Sequence, residues 1–126
     1  MKYEEVPTMT KVAILDGLNR ADPEELKTIV LSAAMGIDDR RWAQAVCLQL
    51  ATHPEPGVRG NAILGLGHLA RIHRRLDREL VEPAILGASL DPDSYVRGHA
   101  DSAAADVATF LGWKLQRTGG SDPSSG

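Results

Sequence analysis

Residues 53–62 read HPEPGVRGNA, and residues 91–100 read DPDSYVRGHA. Aligned at an offset of 38 residues, the two stretches share proline, valine, arginine, glycine and alanine in register. The alignment extends towards the N-terminus at the same offset, where Leu48 aligns with Leu86. A fainter copy, at an offset of 32 residues, begins at residue 22. This internal repeat predicts a structural unit that is used two or three times along the chain.

Each unit is predicted to form two helices. Aspartates suited to capping precede the predicted helices: Asp22, Asp38 or Asp39, Asp77 and Asp91. Pro23 and Pro92 follow at first helical positions, and apolar residues such as Val58 and Ala62 then recur at helical spacing. The expected helices lie near residues 8–20, 23–36, 39–52, 56–75, 78–90 and 93–114. Because Pro83 falls inside the fifth helix, that helix should be kinked or should start late.

The composition is typical of a helical globular domain. The chain has 126 residues, of which 43% are hydrophobic, 25% charged and only 4% aromatic, a mixture that disfavours a sheet. Cys47 is the sole cysteine, which excludes an intramolecular disulfide and a cysteine-based zinc cluster. Neither a long apolar run nor an N-terminal signal pattern is present. We therefore expect a cytoplasmic protein with no membrane partner.

The motif DPDxxVRxxA at residues 91–100 and its copy PExxVRxxA at residues 54–62 resemble HEAT repeats, most closely the short bacterial type that also occurs in phycobilin lyases. The resemblance extends over about residues 38–114. It implies an all-α fold, a right-handed α-solenoid (an α-α superhelix) of about three HEAT-like helix pairs. In such an array the second helix of each pair lines a concave face. The expected organisation is one solenoid domain over residues 1–117 and a flexible tail over residues 118–126.

Charge is unevenly distributed along the chain. The formal net charge is −3, but residues 40–78 hold seven arginines against two acids, and acidic segments lie on both sides. Acidic ends would repel a long phosphate backbone, so nucleic-acid binding is disfavoured. The basic middle segment suits an acidic patch on a protein partner.

A polar set of side chains should face the groove. A helical wheel anchored on the core stripe of the fourth helix, extended by the repeat, places these residues there: Asn61, Leu64, His68, His99, Ser102 and Asp106. His68, His99 and Asp106 are the residues that could assemble a proton-transfer site. No activated nucleophile accompanies them, because Cys47 lies on a core stripe and Ser102 has no evident activator. We therefore expect polar groove contacts and no catalysis, metal or cofactor.

An arginine cluster follows at the end of the fourth helix and in the next turn: Arg71, Arg74, Arg75 and Arg78. Together with Arg40 and Arg41, these side chains could form a basic rim, whereas the simpler interpretation is a solvated helix C-terminus. Arginine in place of lysine favours fork-shaped recognition of carboxylates or phosphates.

Two further features are predicted to be architectural. Arg59 and Arg97 each follow an acid by four residues, so we expect ion pairs within one helix that help to join adjacent units. Phe110 and Trp113, at the end of the last helix, should cover the apolar flank of the final unit.

The leading functional hypothesis is a non-catalytic protein-binding module. It would hold one partner with an acidic surface in its concave groove and against its arginine-rich rim. The sharper form of this hypothesis is an immunity protein that neutralises a cognate toxin of the nuclease type. The alternatives are a structural adaptor or scaffold subunit, and a lyase-like or chaperone-like ligand-handling protein of the phycobilin-lyase type.

Overall fold

A computed structural model describes residues 6–115, and this part of the chain contains helices and no strands. The all-α prediction is therefore confirmed. The helices are α1 (Lys11–Arg20), α2 (Pro23–Gly36), α3 (Arg40–Leu50), α4 (Pro56–His73), α5 (Arg78–Ala88) and α6 (Ser94–Leu111).

The helices pack in two layers, with α4 at the centre. Helices α2, α4 and α6 lie side by side in that order, and α4 contacts both of its neighbours. Each of α1, α3 and α5 packs against the helix that follows it in the chain, and α3 also contacts α5. The repeated positions serve the same purpose in both clear units, since Val58 and Val96 are fully buried, as are Ala62 and Ala100. A single core runs between the two layers.

Helix starts follow the predicted capping chemistry with two corrections. The carboxylates of Asp22 and Asp39 accept hydrogen bonds from backbone N–H groups in the first turns of α2 and α3. At α6 the cap is Asp93, and the predicted cap Asp91 lies two residues earlier. Asp77 occupies the N-cap position of α5 but makes no side-chain capping bond. The sequence could not distinguish Asp91 from Asp93, because both precede the same apolar run.

The two prolines near helix starts differ from expectation. Pro23 begins α2 as predicted, whereas Pro92 precedes the cap of α6 and so lies outside the helix. Helix α5 does not start late: it begins at Arg78 and continues through Pro83. Proline leaves the carbonyl of Glu79 without its usual helical donor. Since both residues are exposed, water can hydrate this carbonyl.

Arg59 makes the main ion pair between two units. Its Nε and Nη2 donate to the two carboxylate oxygens of Asp91, each at 2.8 Å, in a bidentate arrangement. Its Nη1 donates to the carbonyls of His53 and Pro54. The prediction that Arg59 forms its ion pair with Glu55 in the same helix is therefore wrong. The arginine instead joins the turn before α4 to the turn before α6, because the packing of the two helix pairs brings Asp91 onto its fork.

Glycines on α4 allow α6 to come close. A Cβ on Gly60 would lie 2.7 Å from the Tyr95 ring, and a Cβ on Gly67 would lie 3.2 Å from the Cα of Ala103. Glycine costs about 1 kcal/mol of helix propensity relative to alanine. The close packing of α6 on α4 offsets that cost.

The repeat provides a matched test of this packing. Gly98 is the equivalent of Gly60, but a Cβ there would meet nothing within 4 Å. We expect Gly98→Ala to raise the free energy of unfolding by up to about 1 kcal/mol through helix propensity. Gly60→Ala should lower it by about 1–2 kcal/mol, because the Tyr95 ring must move and give up its packing. Urea unfolding of both variants measures the difference, and equal shifts would contradict the close approach.

A double-mutant cycle tests the ion pair between the units. The side chains of Arg59 and Asp91 are only 18% and 12% exposed, so removing either one leaves a poorly hydrated charge. We expect Arg59→Ala and Asp91→Ala each to cost about 2–3 kcal/mol, with strong coupling in the double variant. Additive losses would show that the pair does not join the two units.

The same pair should contribute to acid sensitivity. The hydrogen bonds from Arg59 are the main cause that lowers the pKa of Asp91 in the folded chain. The stabilisation is therefore present above the ordinary carboxyl pKa and is lost as the pH falls through the lower folded value. We expect the free energy of unfolding of Asp91→Asn to fall less steeply with decreasing pH than that of the wild type, which acid unfolding of both proteins measures.

Candidate functional site

The polar side chains predicted for the groove lie on the layer formed by α2, α4 and α6. Asn61 is buried there, and its amide links three helices: Nδ2 donates to the carbonyl of Lys27 at 3.0 Å, and Oδ1 accepts from the Tyr95 hydroxyl. Leu64 is partly buried and Ser102 is exposed. Asn61 therefore holds the layer together, while Leu64 and Ser102 remain accessible to a partner.

His68 is buried on α4 and is held by an arginine from the next turn. Its Nδ1 lies 2.9 Å from Nη2 of Arg71. Because a guanidinium can only donate, Nδ1 accepts, and the neutral ring carries its proton on Nε2. Burial, followed by the charges of Arg71 and His99, lowers the pKa of His68 to about 4. The imidazole is neutral at physiological pH and orients Arg71.

His99 and Asp106 lie on α6 and face α4. His99 meets the Tyr95 ring edge-on, with ring centroids 4.5 Å apart, and burial lowers its pKa. Within residues 6–115, the buried Nε2 of His99 has no hydrogen-bond partner. Burial raises the pKa of Asp106, and the nearby Arg71 opposes this. Among the described residues, Nε2 of His99 therefore donates to neither His68 nor Asp106.

Of the six arginines considered for a basic rim, Arg40 and Arg78 have acidic partners within the chain. Arg40 lies 3.3 Å from an oxygen of Asp77 and is mostly buried. Arg78 pairs with Glu82 at 2.7 Å and stacks over the Trp113 ring, with 5.0 Å between guanidinium carbon and ring centroid. These two arginines are therefore engaged within the chain.

The remaining basic side chains near the end of α4 are exposed. We call Arg71, Arg74 and Arg75 the arginine rim; they occupy the last turn of α4 and the residues after it. Arg74 stacks over the Phe110 ring at 4.8 Å and donates from Nε to the carbonyl of Arg71. Arg41, at the start of α3, is also exposed. The rim thus presents guanidinium groups of which two are already oriented by neighbours.

The two aromatic residues at the end of α6 have different surroundings. Trp113 packs against the core, which confirms its place as a cover on the last helix pair. Phe110 is partly buried and supports Arg74. The chain turns at Gly112, whose φ of 71° lies in the left-handed region that favours glycine, and so brings Trp113 back onto the core.

A cleft between α3 and α5 was not predicted from the sequence. It has a volume of about 400 Å³, and its walls include Leu48, Ala84 and Pro83. Arg59 and Asp91 lie at the same cleft but already bind each other. The cleft is mainly apolar, and its charged lining residues are satisfied.

Residues 6–115 contain no candidate metal centre and no candidate membrane-spanning helix. No group of three or more histidine, cysteine or acidic side chains there is placed to hold a metal ion. No helix in the same range combines the length and the apolar character needed to cross a membrane.

The described part of the chain is therefore an all-helical domain with a buried polar network and an exposed arginine rim. No protein-family model matches the sequence, and no curated protein matches it. Among solved structures, it is similar to a chain in the crystal structure of a CDI complex from Cupriavidus taiwanensis LMG 19424. The two chains are 28% identical with a TM-score of 0.75, and the match covers 87% of this chain and 97% of that chain.

The protonation state of His68 is open to a direct test. NMR titration of the imidazole should show a midpoint near pH 4, well below the ordinary value of 6.5. Since the unfolded chain binds this proton at higher pH, folding stability should fall as the pH decreases from about 6.5 towards 4. His68→Gln should remove part of that loss. A midpoint near 6.5 would contradict the buried, neutral imidazole.

Proposed function

We propose that this chain is a non-catalytic binding protein that holds one partner protein, and that it acts as an immunity protein against a cognate toxin. The observation that supports this most strongly is the 28% identity to a chain of a CDI complex, which is a toxin–immunity assembly. The match covers 97% of that chain, so it extends over a whole component of the complex. On this proposal the protein acts in the bacterial cytoplasm, where it meets the toxin.

We also propose that the helix pairs form a short right-handed solenoid of the HEAT type. The internal repeat supports this, because equivalent arginines in two units make equivalent contacts. Nη1 of Arg59 donates to the carbonyls of residues 53 and 54, and Nη1 of Arg97 donates to those of residues 91 and 92. The layer of α2, α4 and α6 then provides the concave binding face.

The arginine rim is the proposed contact for an acidic surface on the toxin. Guanidinium groups bind carboxylates through paired hydrogen bonds, and Arg71 is oriented by the neutral His68. A nuclease that holds divalent metal ions presents clustered carboxylates at its active site. Such carboxylates are opposite in charge to the exposed arginines of the rim, and this supports the nuclease-type proposal.

A growth assay with a matched charge control tests both parts of the proposal. The protein retained by this chain from the lysate of its own cells should arrest bacterial growth when expressed alone. Co-expression of this chain should restore growth. The variant Arg71→Gln, Arg74→Gln, Arg75→Gln should bind the retained protein at least tenfold more weakly, mainly through a slower and less salt-sensitive association rate.

The control variant carries Asn19→Glu, Ala45→Glu and Gln49→Glu. These exposed positions lie on α1 and α3, and the substitutions make the same change in net charge as the rim variant. We expect the control to bind and to restore growth like wild type. A retained protein that is harmless when expressed alone would overturn the immunity function. Equal binding by the rim and control variants would remove the arginine rim from the proposal.

A further inference from the structure

Among the described residues, the repeat gives Arg97 the same backbone contacts as Arg59 but not the same carboxylate partner. Arg59 and Arg97 are equivalent at the 38-residue offset, and Nη1 of each donates to two backbone carbonyls of the preceding turn. These bonds set the direction of the guanidinium in both units. In the first unit, Nε and Nη2 bind the carboxylate of Asp91.

Arg97 has no such carboxylate. It is exposed, and within residues 6–115 neither its Nε nor its Nη2 has a hydrogen-bonding or ion-pairing partner. Asp93 lies four residues before Arg97, but an acid at this position does not prevent carboxylate binding. Arg59 binds Asp91 although Glu55 occupies the equivalent position before it. The guanidinium of Arg97 is therefore oriented to receive a carboxylate, which within residues 6–115 is present at Arg59 and absent at Arg97.

The neighbouring glycine repeats the same pattern. Gly60 accommodates the ring of Tyr95, which lies four residues after Asp91, and a Cβ at Gly60 would overlap that ring. Gly98 has the same place beside Arg97, but nothing lies within 4 Å of its Cβ position. Leu115, the last described residue, lies at a different part of α6, since it lines a small cavity with Ala100 and Ala104. Within residues 6–115, Arg97 and Gly98 thus form a pair of subsites that no other residue covers, one for a carboxylate and one for a ring.

We propose that Arg97 and Gly98 form a second protein-docking site, which receives a helix start carrying an aspartate and, four residues later, an aromatic side chain. The occupant is a segment of a partner protein, and the internal pair Asp91 and Tyr95 shows the chemistry that fits. The site lies on α6 and is distinct from the arginine rim at the end of α4. If the proposed function holds, this contact gives the toxin a second point of attachment and adds specificity.

A peptide that copies the internal partner is a direct probe. Its sequence is that of residues 89–102, SLDPDSYVRGHADS, with blocked ends. Titrated into the ¹⁵N-labelled full chain, it should shift the side-chain Nε–H signal of Arg97 and the amide of Gly98 in a saturable way. Peptides with Asp91→Asn or Tyr95→Ala should bind at least tenfold more weakly. Absence of a saturable shift, or equal binding by all three peptides, would overturn the proposal.

Variants of the protein separate this site from a general charge effect. Arg97→Gln should weaken binding of the wild-type peptide at least tenfold, as should Gly98→Leu, which fills the ring subsite. Gly87→Leu is the matched control, because Gly87 is also exposed with nothing within 4 Å of its Cβ position. Binding that survives Arg97→Gln, or that Gly87→Leu abolishes, would contradict the assignment.

Two other occupants are excluded or revealed by the same spectra. A concentration-dependent shift of Arg97 without peptide would identify a second copy of this chain as the occupant. Binding that appears only after Asp122→Asn would show that the acid of the chain's own C-terminus fills the fork. Either result would overturn a partner-protein site. None of these readouts depends on a toxin, so their failure leaves the growth assay unaffected, and the reverse also holds.

Discussion

The close packing of α6 against α4 is the constraint on which the rest of the structure depends. It requires glycine at residues 60 and 67 of α4, where a larger side chain would overlap Tyr95 or press on the backbone of α6. Because the two helices lie this close together, Asp91 can bind the guanidinium group of Arg59, and the Tyr95 hydroxyl can donate to Asn61. The close approach of α6 to α4 therefore determines both the ion pair between the units and the polar network around the buried Asn61.

Much of the fold could be predicted from the sequence, because the repeat fixes which residues are buried. Val58 and Val96 recur at equivalent positions, and both are in the core. Ion-pair partners were less predictable. Sequence spacing favours Glu55 for Arg59, since it lies one turn away, but the observed partner is Asp91. That choice depends on how two helix pairs pack, and a linear pattern contains no such information.

The candidate site shows the same division between pattern and packing. The wheel placed Asn61 and His68 on one face, yet both are buried, because α2 and α6 flank α4 on that face. Their amide and imidazole groups bind neighbouring helices or orient Arg71, rather than projecting towards a ligand. The cluster of six arginines likewise divides by packing: Arg40 and Arg78 have acidic partners within the chain, and the rim keeps its exposed charges.

Hydrogen–deuterium exchange of this chain, free and bound to the protein it retains, tests the central claim most directly. If the partner is held on the layer of α2, α4 and α6, amides around residues 71–75 should become protected on binding. The outer helices α1, α3 and α5 should exchange as in the free chain. Protection confined to those outer helices would contradict the proposed binding face and its arginine rim.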